Sequence, residues 1–407
     1  MTQVKEHPSV PETEVTRYDD ADYPYDRLMV IIPHSLSGLV KKGEVIDRYY
    51  NPGNLFRQVH LVLANDDKPD VSFMRRMVGD AELHIHNVPT GPRFFLRTLA
   101  WRPFLVRRWA AKVSQVAAQV RPQLIRCHGA FYNAFAASEI KRRLGIPYVV
   151  SLHTNPDQSL GLSWPNRIQW RFLDGIARKA LRDADLVMPV YEGIRPYVER
   201  LGAPRVDVAY NVVNPSAIVE KARYAIGENV RIVSVGRLVE GKSPERIIRA
   251  VAGLPTTTLK IIGDGPLHDH LQALTRREGV ADRVEIIRSL PNDRLCRLLA
   301  DCDVFAVCIE KWGISKVVLE AFLTGLPVII NRPDSMYVPE ITSQIALLVD
   351  NTSEGYRAGL EKLILDGGLR EFLGRAGQRR ARENWDPTVT EANYVRIYRE
   401  ILAASGS

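Results

Sequence analysis

The chain has 407 residues, of which 45% are hydrophobic and 25% charged, which predicts a soluble globular protein with two domains. No apolar run approaches the roughly 18–20 residues that a membrane-spanning helix requires, and the polar N-terminus lacks the apolar segment of a secretion signal. The net charge of +8 favours an anionic partner, either lipid or a phosphorylated small molecule, because no zinc-finger spacing or aromatic RNA-binding motif supports nucleic acid.

The first part of the chain, residues 1–25, is polar and contains proline, so we expect a flexible tail there. The cysteines have no C-x-x-C spacing, and no export signal accompanies them. We therefore expect reduced thiols in a cytoplasmic protein. These cysteines are Cys127, Cys296, Cys302 and Cys308.

Short β-branched apolar runs alternate with longer helical patterns, which predicts parallel α/β sheets. The predicted strands of the first half are Leu28–Ile32, Val59–Leu63, Leu124–Cys127, Tyr148–Leu152 and Leu186–Val190. Those of the second half are Arg231–Val235, Leu259–Ile262, Val284–Ile287, Val304–Val307 and Pro327–Ile330. Because no strand pattern joins the two series, we predict two doubly wound domains, residues 26–210 and 211–387.

Open parallel sheets bind ligands at the carboxyl ends of their strands, so two facing sheets would place one site in the cleft between them. Neither half carries a G-x-G-x-x-G or Walker A sequence after its first strand. A nicotinamide dehydrogenase and a P-loop ATPase are therefore disfavoured.

The segment Arg93–Lys112 is basic and aromatic and contains no acidic residue. Its cations are Arg93, Arg97, Arg102, Arg107, Arg108 and Lys112, and its aromatic residues are Phe94, Phe95, Trp101, Phe104 and Trp109. This pattern fits the surface of an anionic membrane. A solvated helix whose other face belongs to the core explains it equally well.

The stretch "SVGRLVEGKSPERIIRA" predicts a strand, a tight turn at Gly236 and a helix that begins near Ser243. Arg237 and Lys242 flank that turn beside a helix N-terminus, an arrangement that suits a diphosphate. A solvated pair of charges on a surface loop is the alternative. The glycine in "KIIGDGP", Gly263, fits a close approach of backbone to ligand, or a simple turn.

A third stretch, "WGISKVVLEAFLTGLPVI", predicts a helix over Lys316–Thr324 that Ser315 caps and Gly325 ends. Glu320 stands among apolar residues on that helix. A buried carboxylate must accept hydrogen bonds, which paired sugar hydroxyls could donate. The alternative is an exposed ion pair between Lys316 and Glu320.

Taken in order, "GRLVEGKSPERIIRA", "KIIGDGP", "LADCDVFAV" and "WGISKVVLEAFLTGLPVI" resemble the donor half of family 4 glycosyltransferases, which have the GT-B fold. The stretch "RPQLIRCHGAFYNAFAASEIKRRLGIPYVVSLHT" resembles the first half of that family more loosely, and the likeness covers residues 121–402. It implies two Rossmann-like domains across a cleft, an N-terminal domain for the acceptor and a C-terminal domain for the donor. It also implies a last helix, within residues 388–407, that crosses back to the first domain.

The implied reaction is the metal-independent transfer of a sugar, as in a hexosyltransferase, from a nucleoside-diphosphate sugar to an acceptor hydroxyl. The anomeric configuration would be retained, and no cofactor would be needed. The implied partners are the nucleotide sugar, a glycan or lipid-linked acceptor and, through Arg93–Lys112, the inner face of an anionic membrane. The resemblance leaves open a non-catalytic GT-B partner protein and a nucleotide-sugar epimerase of the same fold.

Residue roles follow from the resemblance by position. Catalytic roles fall on His153, Arg237 and Lys242, with the two cations holding the diphosphate, Glu320 the ribose and the backbone of Leu290 the base. His128 and Gly38 would serve the acceptor or the structure. The implied donor-binding set is Gly236, Arg237, Lys242, Gly263, Leu290, Trp312, Gly313, Ile314, Ser315, Lys316 and Glu320.

The sequence departs from the family at one glutamate. Counting back from Glu320, the first Glu of the family's E-x7-E motif falls on Trp312, and Glu310 lies two residues too early. We therefore expect Glu310 to be less important than Glu320, and Trp312 to stack on the donor sugar or to narrow its pocket. Asp301 and Asp303 spell a D-x-D motif, which we interpret as structural.

Overall fold

The computed structural model describes residues 23–41, 45–91, 103–159, 164–242, 244–310, 313–332 and 338–406. Most of the predicted tail, residues 1–22, lies outside this range. The tail prediction extends too far at its other end, because Tyr25 is the first residue of a strand and the Tyr23 hydroxyl donates to the Asp80 carbonyl at 3.0 Å.

The first sheet has six parallel strands in the order β3-β2-β1-β4-β5-β6. The strands are β1 (Tyr25–Ile32), β2 (Phe56–Leu63), β3 (Glu82–Asn87), β4 (Leu124–His128), β5 (Tyr148–Leu152) and β6 (Leu186–Pro189). The helices are α1 (Ser37–Lys41), α2 (Val71–Val78), α3 (Pro103–Val120), α4 (Tyr132–Leu144), α5 (Trp164–Arg182) and α6 (Arg195–Arg200). The strand order reverses between β1 and β4, where a doubly wound sheet forms its binding crevice.

The second sheet repeats this topology in the order β12-β11-β10-β7-β8-β9, and all of its strands are parallel. The strands are β7 (Val230–Val235), β8 (Thr257–Ile262), β9 (Val284–Ile287), β10 (Val304–Val307), β11 (Val328–Asn331) and β12 (Leu347–Val349). The helices are α7 (Pro244–Ala252), α8 (His268–Arg277), α9 (Asn292–Asp301), α10 (Lys316–Thr324), α11 (Ser353–Leu365), α12 (Gly367–Asn384) and α13 (Pro387–Ser405). The reversal of order, between β7 and β10, again marks a crevice.

Helix α13 packs on the first sheet rather than on the second. Tyr394, Ile397 and Tyr398 of α13 are buried in the same apolar cluster as Leu28 and Val30 of β1. The Asn393 amide also donates to the Val208 carbonyl at 3.0 Å. Burial of these side chains ties the end of the chain to its first half.

All ten predicted strands are present, but two of the four edge strands, β3 and β12, were not predicted. Strand β3 reads "ELHIHN", in which polar residues alternate with apolar ones and its side chains are at best partly buried. Strand β12 has only three residues. The polar alternation of β3 and the shortness of β12 give a weaker sequence signal than β6 and β9, the edge strands that were predicted. Within the described residues, no helix has the length and apolar character needed to cross a bilayer.

Candidate active site

Two glycines bring the loops after β7 and β8 into close contact. A Cβ at Gly263 would lie 1.8 Å from the Gly236 carbonyl oxygen, so no side chain fits there. The Gly236 and Gly263 amides donate to the Ile262 and Ile287 carbonyls at 3.0 and 2.8 Å. The contact between loops is therefore sufficient to explain a glycine at position 263 without a ligand.

Arg237 and Lys242 lie together at the carboxyl end of β7, where they border a small cavity with Gly236, Val307 and Cys308. Burial, and secondly the charge of Arg237, lowers the pKa of Lys242. An anion bound between these two cations would offset both effects. Ser243, the predicted cap, lies outside the described residues, and α7 begins at Pro244.

Glu320 is only 4% exposed, so the alternative of an exposed ion pair with Lys316 is wrong. Helix α10 has the predicted bounds and ends at Gly325, which adopts a left-handed φ of 84°. One carboxylate oxygen of Glu320 accepts a hydrogen bond from the Asn292 amide at 2.8 Å. Ser315 occupies the cap position, but its side chain makes no capping hydrogen bond to the described residues, which corrects that detail.

Glu310 faces the loop after β7. Its backbone amide donates to the Gly241 carbonyl at 3.0 Å, and Arg246 donates to its carboxylate at 2.7 Å. These contacts tie the ends of β7 and β10 together. Trp312, the residue at the family's first glutamate position, lies outside the described residues.

The first sheet contributes two histidines at the ends of neighbouring strands. His128 ends β4 and His153 follows β5, and their rings stack with centroids 5.2 Å apart. Burial, and secondly the charge of Arg126, lowers the pKa of His153 to about 3 and also lowers that of His128. His153 Nδ1 lies 3.1 Å from Asn211 Oδ1, so in the neutral ring with this amide orientation Nδ1 donates and Nε2 is the acceptor.

Lys316 connects the two sides of the cleft. Its ammonium group lies 5.9 Å from the centre of the Tyr49 ring, and its charge contributes to the lowered pKa of both His128 and His153. Gly313, just before α10, sits so close to the first domain that a Cβ there would lie 3.2 Å from the Tyr191 hydroxyl. The structure thus brings the start of α10 to the ends of β4 and β5.

The remaining predicted site residues have fewer contacts that point to a role in the cleft. Ile314 is buried in the core, and Leu290 is partly buried and packs against the same cluster. Gly38 lies in α1, and no described atom comes within 4 Å of a Cβ built on it, so sterics alone do not require glycine there. Asp303 is buried and accepts hydrogen bonds from Arg231, which supports its structural interpretation.

Sequence reasoning missed Asn292 and Arg126. Nothing in "SLPND" distinguishes Asn292 from an ordinary residue at a helix start. Arg126 did carry a signal, because it is a cation in the apolar strand "LIRCH". It is 1% exposed, donates to Ser151 Oγ at 3.1 Å and lies 4.7 Å from the Tyr394 ring centre on α13.

Two family models match consecutive parts of the chain. The model for glycosyltransferase family 4 matches residues 57–217, and the model for glycosyl transferases group 1 matches residues 219–380. The chain belongs to the family 4 glycosyltransferases. Together the two matches cover the second sheet and all of the first sheet except β1, which confirms the resemblance inferred from the motifs.

Two bacterial glycosyltransferases are among the proteins similar to this chain. The GDP-mannose-dependent alpha-(1-6)-phosphatidylinositol monomannoside mannosyltransferase of Mycolicibacterium smegmatis is 30% identical over 54% of this chain and 64% of its own length. The lipopolysaccharide core biosynthesis glycosyltransferase LpsE of Rhizobium meliloti is 30% identical over 48% and 58%. The match thus spans less than two thirds of either relative.

Solved structures confirm the GT-B fold. Sucrose-phosphate synthase from Thermosynechococcus elongatus superposes with a TM-score of 0.75 at 14% identity, covering 93% of this chain and all of that one. HepE from Anabaena in complex with UDP-glucose superposes with a TM-score of 0.68 at 16% identity, covering 92% and 99%. At such low identity the likeness establishes the fold alone.

Proposed function

We propose that this protein transfers a sugar from a nucleoside-diphosphate sugar to an acceptor hydroxyl, with the donor bound by the second sheet and the acceptor by the first. The observation that carries this proposal is the pairing of Arg237 with the partly buried Lys242 at the carboxyl end of β7. The pair lies at the crevice of the second sheet and beside the N-terminus of α7, where the amide groups favour an anion.

The second support is the carboxylate of Glu320 on the β10 side of the same crevice. Asn292 holds one oxygen at 2.8 Å, and the buried carboxylate can accept further hydrogen bonds from a ribose. Leu290, between β9 and α9, is the residue whose backbone would contact the base. UDP-glucose bound to the neighbour HepE supports a nucleotide sugar as the donor class.

We propose transfer with retention of configuration and without a metal ion. The bond from the sugar's anomeric carbon to the diphosphate oxygen breaks, and a bond to the acceptor oxygen forms on the same face. The acceptor's proton passes to the leaving diphosphate. Arg237 and Lys242 stabilise the negative charge that develops there. Neutral His153 offers Nε2 as an acceptor for a sugar hydroxyl, since no described residue bonds this nitrogen.

We propose a glycan or lipid-linked molecule as the acceptor and a cytoplasmic location at the inner face of a membrane. The names of the mannosyltransferase and of LpsE, which concern a phosphatidylinositol mannoside and lipopolysaccharide, support an acceptor of this kind. The basic helix α3 supports membrane contact, although residues 93–102 of the predicted segment lie outside the described residues.

Incubation with a panel of nucleotide sugars tests the proposal. We expect one donor to release its nucleoside diphosphate slowly in water and faster with acceptor, with an unchanged rate after chelation of divalent cations. The product's anomeric configuration, measured by NMR, should match that of the donor. Epimerised donor without nucleotide release would indicate an epimerase, and binding without any turnover would indicate a non-catalytic partner protein.

A further inference from the structure

A groove of about 680 Å³ lies outside the cleft, between α3, α4 and α5. We call it the α3–α5 groove. Its floor is apolar and is formed by Val106, Ala110, Phe135 and Ile176, each less than 10% exposed. It follows α4 from Phe135 to Arg143, a rise of about 12 Å at 1.5 Å per residue. A cavity of this size suits a small organic ligand or part of a lipid.

The rim of the α3–α5 groove is cationic. Four cations and one carboxylate line it, namely Arg107, Arg142, Arg143, Lys179 and Glu139. Arg142 donates to Glu139 at 2.7 Å, and Lys179 pairs with Asp183 at 3.0 Å, so these two cations are partly neutralised. Arg107 and Arg143 are exposed and have no ion-pair partner among the described residues. Arg107 and Arg143 can therefore bind an anion at the rim.

An exposed aromatic residue stands beside this rim. Phe104 is 59% exposed and precedes Arg107 by three residues on α3, so both lie on one face of the helix. Trp109 donates to the Val88 carbonyl, just after β3, at 2.7 Å. The second turn of α3, which also carries Arg107, is thus near the carboxyl edge of the sheet, on the side of the cleft. An exposed aromatic residue next to cations is typical of a membrane interface.

We propose that the α3–α5 groove seats one anionic phospholipid of a bilayer. The phosphate of this lipid lies between Arg107 and Arg143, and the part of its acyl chain nearest the headgroup lies on the apolar floor. Phe104 inserts into the same leaflet. A free phosphate would leave the apolar floor and Phe104 unused. The inference rests on the proposed function only for its purpose, which is to bring the cleft to a membrane-borne acceptor. Lipid binding itself needs no donor or acceptor.

Flotation with vesicles tests this seat. The full chain is mixed with vesicles of phosphatidylcholine alone, or of equal parts of phosphatidylcholine and phosphatidylglycerol. We expect binding to the anionic vesicles only. Replacement of both cations in Arg107→Gln/Arg143→Gln should weaken this binding roughly 25-fold, because each cation near an anionic surface contributes about a factor of five. The matched control, Arg276→Gln/Arg277→Gln on α8, removes two exposed arginines from the other domain and should bind as wild type.

Ala111→Phe separates a seated lipid from diffuse attraction, because it fills the α3–α5 groove without changing any charge. We expect it to weaken binding at least several-fold. Wild-type affinity in Ala111→Phe, equal losses in the control pair, or no binding by the wild type would each overturn the proposal. Nucleoside diphosphate affinity, measured on the same samples, should stay unchanged in every variant. If the wild type did not bind nucleoside diphosphate, that result would count against the proposed function and not against the lipid site.

Discussion

The two sheets have the same strand order, yet the polar groups at their crevices differ. After β7, Arg237 and Lys242 leave a cationic position beside the start of α7. After β1, the corresponding helix α1 comprises five described residues, Ser37–Lys41, and its first amides are already used. Leu36 and Ser37 both donate backbone hydrogen bonds to the Asp67 carboxylate, at 2.6 and 2.9 Å.

Under the proposed function, this difference would explain how a duplicated topology gives one anion site and one acceptor site. The topology fixes where each crevice lies, but the loop after the first strand decides whether an anion can bind there. In the first sheet a carboxylate occupies the helix start, and neutral histidines line the neighbouring strand ends. In the second sheet the helix start faces two cations.

The largest expected effect concerns the glycines of these loops. Gly263→Ala should destabilise the second domain by about 3 kcal/mol, because the added Cβ would overlap the Gly236 carbonyl oxygen and the backbone must shift. Thermal unfolding would measure the loss of stability. The rise in melting temperature that bound nucleotide gives the wild type should be lost as well. Wild-type stability of Gly263→Ala would show that the two loops are not in contact as described.

Removal of Arg237 or Lys242 should weaken nucleotide binding by the second domain and leave the first domain unaffected. Arg237→Ala or Lys242→Ala should weaken nucleoside diphosphate binding by roughly 1.5–3 kcal/mol, the contribution of a hydrogen bond to a charged group. Calorimetric titration would measure the change. Arg249→Ala is the matched control, because Arg249 lies on α7 but pairs with Glu278. Unchanged affinity in both site variants would exclude the phosphate role.

Glu320 and Glu310, both next to the second sheet, should differ in their contribution to nucleotide affinity. Glu320→Gln should lower nucleotide affinity by about 1–3 kcal/mol through the loss of charged hydrogen bonds at a buried position. Glu310→Gln should leave it nearly unchanged, because the carboxylate of Glu310 faces Arg246. Titration of each variant with the bare nucleotide would decide, and a greater loss in Glu310→Gln would contradict this assignment.

The pH dependence of nucleotide binding should reveal Lys242. Its pKa is lowered by burial and by Arg237, so binding of a diphosphate requires proton uptake once the pH exceeds that lowered pKa. Affinity should therefore fall as pH rises through this range. Without ligand the sign reverses, and the stability of the folded state should rise with pH toward the ordinary lysine pKa.

Lys242→Arg is the control for this pH dependence, because arginine stays charged throughout the range. We expect its nucleotide affinity to be nearly independent of pH. A slope equal to that of the wild type would assign the titration to another group.

Much of the fold could be predicted from the sequence, because buried parallel strands are continuous apolar runs. The placement of Arg237 and Lys242 beside a strand end and of Glu320 inside an apolar helix was also predicted, since charges at such positions stand out. Asn292 could not be found, because its contact with Glu320 joins residues 28 positions apart. Such long-range pairs depend on tertiary packing and leave no local pattern.

The smallest expected effect is at Gly38, the glycine after the first strand of the first sheet. No described atom lies within 4 Å of a Cβ built there, and Gly38 is helical, so alanine fits and restricts the unfolded chain. Gly38→Ala should therefore stabilise the protein by about 0.5 kcal/mol, opposite in sign to Gly263→Ala, with nucleotide affinity unchanged. Thermal unfolding and acceptor-dependent turnover would measure the outcome. If turnover fell while nucleotide binding and stability were kept, the backbone of Gly38 would contact the acceptor. The first crevice would then use its glycine for a ligand, whereas contact between loops is sufficient to explain Gly263 in the second.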